Sequence, residues 1–167
     1  MPDTFNAAVL ILRLALGAVF VIHGVKHLRN RSKTMNWTAG MGFSQPGLQW
    51  FFMSFAEVGV GFSLALGLLM SFGAAGLIAL MAVAHWTVHR HAGFWITARP
   101  DEGWEYAFVL AAAAYAVAIL GPGEWSIDHA AGIAENLDGG AGAMIAASGI
   151  GAAALQLAVF FRSERSI

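Results

Sequence analysis

Two pairs of histidines, His23 with His27 and His85 with His89, are each spaced by four residues. On a helix that spacing puts both imidazoles of a pair on one face. Lys26, Glu57 and Glu105 complete a set of ionisable side chains placed inside or at the edge of apolar runs. Imidazole, ammonium and carboxylate groups gathered in one place can move protons to and from a bound molecule. The same imidazoles and carboxylates also suit iron, zinc or copper as ligands. Which chemistry is open to them depends on where the chain sets each group.

The elements that must position them belong to a membrane protein. Of 167 residues 58% are hydrophobic and 11% charged, less than half the charged share of ordinary soluble domains. The apolar residues fall into five runs, about 6–28, 49–70, 72–90, 103–120 and 140–161, each near the length of a bilayer core. Leu, Ala and Met dominate and long β-branched alternation is absent, so helices are expected rather than a barrel. The first run contains Arg13, follows a start without Lys or Arg and has no small-residue cleavage site, so it reads as a membrane helix and not a leader. The expected fold is an all-α membrane protein, a four-helix transmembrane bundle plus a fifth C-terminal transmembrane helix. Residues 1–128 would form the bundle, and 129–167 an external loop and the added helix. Without cysteine the chain has no disulfide, thiolate nucleophile or Cys-ligated cluster of its own. No basic run or nucleic-acid motif is present. The expected surroundings are membrane lipid, with a homo-oligomer as one further arrangement.

Charge counting orients the five spans. One side receives the N-terminus, a turn at Ser71, Phe72 and Gly73, and residues 121–139, none of which carries Lys or Arg. The other receives Arg29, Arg31, Lys33, Arg90, Arg99, Arg162 and Arg165. The excess of Lys and Arg marks the cytoplasmic side, giving an external N-terminus and a cytoplasmic C-terminus. At about 1.5 Å per residue, His23, Lys26 and His27 then lie within roughly 8 Å of the cytoplasmic end of span one, and Glu57 roughly 10–12 Å deep in span two. His85, His89 and Glu105 belong to the same half. Ionisable groups at membrane depth normally face the bundle interior, so a polar pocket among spans one to four is expected. A carboxylate as deep as Glu57 must be either protonated or paired with a cation.

Plainer roles stand beside this one. Lys26, His27, His89 and His91 can mark a membrane edge, and Glu105 can favour a helix N-terminus. Glu57 and His85 sit inside apolar turns, where the choice is between a structural hydrogen-bond pair and a functional site. The tryptophans near the span ends fit an aromatic belt. Arg13 is expected to snorkel outward and form a structural ion pair with Asp128. Gly59, Ser63 and Gly67, spaced by four, suggest a smooth face for helix contact.

The segments VIHGVKHL, AEVGVGFSLALGLL and GWEYAFVLAAAAYAVAILGPGEWSID, in that order, resemble the DoxX family of small bacterial membrane proteins. The likeness runs from about Leu12 to Asp128, and His23, Gly24, Lys26, Glu57, Glu105 and Asp128 match the family's polar positions. The resemblance implies a four-helix body in the bacterial plasma membrane, and this chain departs from it by the segment from Gly132 onward. The related DoxD branch looks like the membrane part of a thiosulfate:quinone oxidoreductase. Some DoxX proteins are described as membrane partners in thiol-oxidant and superoxide defence complexes.

Three functions are consistent with these residues. In the first the chain is a quinone-interacting membrane subunit of an oxidoreductase complex, with a soluble or membrane partner supplying electrons. His23 and His85 then hold or protonate the ring oxygens, with His89 lining the same site. Glu57 relays protons, Glu105 orients a histidine and Lys26 balances charge. In the second, His23, His27, His85 and His89, with Glu57 and Glu105, bind a metal in the bundle core. In the third the polar cluster is internal glue in a non-catalytic scaffold for an oxidoreductase partner.

Overall fold

Apolar runs that lack period-two alternation have only the helix in which to satisfy their own backbone in lipid, and the chain folds accordingly. The computed structural model describes residues 2–162, and apart from one isolated bridge between Phe43 and Phe161 its regular structure is helical. Helix α1 spans Asp3–Arg29, α2 Arg31–Gly40, α3 Pro46–Leu66 and α4 Met70–Ala84, which continues into a π-helical turn at His85–His89. Then come α5 at Glu105–Leu120, a short α6 at Ile127–Ala130 and α7 at Gly139–Phe160. Arg165, counted above among the cytoplasmic cations, lies outside the described residues.

Four of these helices, Asp3–Arg29, Pro46–Leu66, Met70–His89 and Gly139–Phe160, are long and apolar enough to cross a membrane. This is a multi-pass membrane protein. Helix α5 is apolar but has only 16 residues, about 24 Å of helix against a hydrocarbon core of about 30 Å. The expected spans thus recur as helices, with α5 shorter than the rest. The polar helix α2, not expected from the sequence, arises where the charged RSKT segment follows Asn30.

Helices α1 and α3 approach most closely at glycines. A Cβ on Gly17 would stand 2.6 Å from the Gly61 carbonyl oxygen, and one on Gly24 would stand 2.7 Å from Val58 Cγ2. Gly59 faces open space, Ser63 meets Gly73 on α4, and Gly67 ends α3 in the left-handed region. The close-contact stripe therefore runs through Gly17, Gly24 and Gly61 and not through Gly59, Ser63 and Gly67. Leu16, Phe20, Val60, Leu64, Leu77 and Val117 form the core, to which α7 adds Ala146. The outer surface is apolar too, with Ile22 at 66% and Met144 at 72% exposure. Such a face suits lipid.

Hydrogen bonds tie the segments at each end of the bundle. At one end the turn between α3 and α4 lies at Gly67, Leu68 and Leu69, not at Ser71, Phe72 and Gly73, which belong to α4. The reason is capping: Leu69 N and Met70 N donate to the two carboxylate oxygens of Asp128 at 2.7 and 2.9 Å. These bonds satisfy orphan donors at the start of α4. Arg13, 1% exposed, donates to the carbonyls of Leu64, Ala65, Pro122 and Trp125 at 2.6–3.0 Å. Arg13 and Asp128, expected as an ion pair, lie at the same end with the Asp128 charge acting on the Arg13 guanidinium, and each also has a capping role. Arg13 donates to carbonyls where α3 ends, Leu64 O also accepting from Gly67 N, and Asp128 satisfies amides where α4 begins.

At the other end Arg162 N donates to Gly42 O at 2.7 Å and Ser44 N to Phe160 O at 2.8 Å, fastening the end of α7 to the α2–α3 connection. Arg31 lies over the Trp50 ring at 4.8 Å and Arg90 over Trp86 at 4.2 Å.

Candidate functional site: a cavity at the cationic end

The face of α3 that carries Gln49, Met53 and Glu57 at successive turns looks into a cavity of about 330 Å³. Its wall is mostly apolar, with contributions from α1, α2, α4, α5 and α7. A few convergent polar groups in an apolar cleft of this size are the usual make-up of a small-molecule site. Of its lining residues, His23, Trp37, Ile96, Glu102 and Tyr106 are exposed and so form its rim.

Glu57 is 8% exposed, and its Oε2 has no hydrogen-bond partner among the described residues. The nearest basic group is His27 Nε2 at 3.9 Å. That distance is too long for a direct hydrogen bond. His27 is itself held from three directions. Its ring stacks on Trp37 with centroids 5.9 Å apart, its Nδ1 is 3.2 Å from Thr34 Oγ1, and its carbonyl accepts from Trp50 Nε1 at 3.0 Å. Thr34 and Trp37 come from α2, so the polar helix overlooked in the sequence fixes the imidazole nearest the acid.

Two further histidines line the cavity with a defined tautomer. Nδ1 of His23 is 2.9 Å from Val19 O, and Nδ1 of His89 is 2.7 Å from Glu102 O. A carbonyl only accepts, so Nδ1 carries the proton in both and Nε2 is the nitrogen free to take up or give one.

The remaining expected residues lie elsewhere. His85 does not line the cavity; its ring meets Trp104 edge-on at 5.7 Å. The π-helical turn winds the chain more widely than an α-helix over these five residues, and of the pair only His89 faces inward. Glu105 accepts from Ile96 N at 3.1 Å and braces the preceding loop instead of orienting a histidine. Lys26 is exposed and outside the cavity lining, the snorkelling position considered above. His91 is exposed. Among the described residues no three His, Asp or Glu side chains gather as a metal-ligand set. His23, His27 and His89 therefore line one cavity without gathering into such a set.

Gln49, Gln156 and Glu102, all in the cavity wall, escaped the reading of the sequence. Gln156 Nε2 donates to Gln49 Oε1 at 3.0 Å, bringing α7 into the site. A signal existed for both glutamines: Gln49 precedes Glu57 by two helical turns, and Gln156 is an amide inside an otherwise apolar stretch, where polar groups are costly.

Residues 8–90 match the family model described as DoxX. The matched segment holds His23, His27, Gln49, Glu57 and His89, whereas Glu105, Asp128 and Gln156 lie beyond it. No curated protein and no solved structure matches the chain.

Proposed function

The chain belongs to the DoxX family, and from that premise we propose that it is the quinone-interacting membrane subunit of a redox complex. Reducing a quinone to its hydroquinone consumes two electrons and two protons. The electrons come from a partner oxidoreductase, since the chain encodes no flavin or iron–sulfur motif. The protons pass through the cavity, where Glu57 and His27 stand at the inner wall and the Nε2 atoms of His23 and His89 nearer the rim. The observation that carries this reading is the unpartnered Oε2 of Glu57 in an apolar cavity, a group left for a ligand to satisfy.

Five crossings with the N-terminus outside, in a bacterial plasma membrane, complete the proposal. Arg29, Arg31, Lys33, Arg90, Arg99 and Arg162 flank helix ends that five alternating crossings would put on one side, and the hydrogen bond from Arg162 N to Gly42 O supports that alternation. The cavity then opens at the cytoplasmic headgroup level. A quinone can reach it there by lateral diffusion while its head meets water-borne protons.

The test is a titration of the purified chain in nanodiscs with decylubiquinone, following tryptophan fluorescence, since Trp37 lines the cavity. Saturable quenching that Glu57→Leu abolishes is expected. Quenching that is unsaturable, or equal in the variant, would remove the quinone reading and leave a scaffold.

A further inference from the structure

We infer that the Gln49–Gln156 amide pair is a second polar subsite of the cavity, and that the ligand is a flat ring with oxygen functions at opposite ends. This rests on the quinone reading and adds which quinone geometry the site accepts and which helix selects it.

Gln49 is 3% exposed and sits on the first turns of α3. Glu57 lies eight residues on, about 12 Å along the same helical face, with the apolar Met53 between them. Both ends and the middle line one cavity. The face therefore reads polar, apolar, polar. A six-membered ring with para oxygens, each in a hydrogen bond of about 2.9 Å, fills a gap of that order; a ring with one oxygen leaves one end unmet.

The amide pair is also matched to both redox states. The bond from Gln156 Nε2 to Gln49 Oε1 at 3.0 Å uses one donor and one acceptor. It leaves the Gln49 NH₂ to donate to a quinone carbonyl and the Gln156 carbonyl to accept from a hydroquinone hydroxyl. At the opposite end Glu57 Oε2 has no hydrogen-bond partner among the described residues. Gln156 belongs to α7, beyond the family-matched residues, so the added helix sets ligand specificity in this chain as well as enlarging the bundle.

The test uses the full chain in nanodiscs. On the unaltered protein, decylubiquinone is expected to bind about tenfold more tightly than a phenol with the same tail and a single ring oxygen, the effect of one lost hydrogen bond. Gln49→Met, which keeps volume but removes the amide, should weaken decylubiquinone about tenfold and erase its advantage over the phenol, and Gln156→Met, which removes the acceptor for a hydroxyl, should weaken decylubiquinol about tenfold. Equal affinity of the two ligands for the unaltered protein would overturn the subsite without the need of any variant. Unchanged decylubiquinone binding in Gln49→Met, or unchanged decylubiquinol binding in Gln156→Met, with decylubiquinone binding lost in Glu57→Leu, would overturn the subsite and leave the quinone reading standing. No binding of decylubiquinone to the unaltered protein would overturn both.

Discussion

Glu57 Oε2 stands 3.9 Å from His27 Nε2 and has no hydrogen-bond partner among the described residues. A carboxyl oxygen that is buried and unbonded is destabilising unless something else satisfies it. Its place beside an imidazole fixed by Trp37 and Thr34 supports the proposal that a ligand satisfies it.

Stability and binding should therefore part company at Glu57. Glu57→Leu removes no hydrogen bond of Oε2 and fills an apolar wall, so stability is expected to hold or rise by about 1 kcal/mol. Quinone affinity should fall at least about tenfold, the effect of one hydrogen bond. Thermal unfolding in detergent checks the first and ligand titration the second. A large loss of melting temperature would make Glu57 structural glue.

Arg13 should behave in the opposite way. Its four hydrogen bonds to carbonyls hold the end of α3 to the segment before α6. Arg13→Met is expected to cost on the order of 3 kcal/mol while leaving the affinity of correctly folded protein for quinone unchanged. A melting curve like that of the parent would contradict the capping role.

The glycine contacts separate two neighbours on one helix. Gly61→Val drives a side chain into the backbone of α1 at Gly17 and Val21 and should destabilise by about 1–3 kcal/mol. Gly59→Ala meets open space and gains helix propensity, so it should be neutral or stabilising by up to about 1 kcal/mol. Equal effects at the two positions would dismiss the tight α1–α3 seam.

Topology is directly accessible because the chain has no cysteine. Single cysteines at the exposed Ser32 and Glu135 can be treated with a membrane-impermeant maleimide on intact cells. Glu135→Cys should react at once and Ser32→Cys only after lysis. Labelling of both from outside would remove the five-crossing arrangement, and the reverse pattern would invert it.

The helices were legible because lipid leaves a backbone few options, and the runs of apolar residues mark them directly. Pairings across the bundle were harder. The i, i+4 rule applied to His85 and His89 assumed an α-helix, and a π turn places only His89 in the cavity. Arg13 and Asp128 both lie at the end opposite the cavity, but opposite charge alone did not reveal that each is taken up by backbone groups. Gln156 stayed hidden because its partner Gln49 is 107 residues away, and only the packing of α7 makes them neighbours. Glu57, by contrast, could be read from the sequence alone, because a carboxylate among apolar turns is costly unless it is protonated, paired or met by a ligand.

Native mass spectrometry of the protein, extracted gently from its own membranes, bears most directly on the claim that the cavity holds a quinone. An adduct with the mass of the host's quinone, present on the parent chain and absent from Glu57→Leu, is the expected spectrum. A bare polypeptide, or an adduct retained equally by the variant, would contradict the assignment of the cavity.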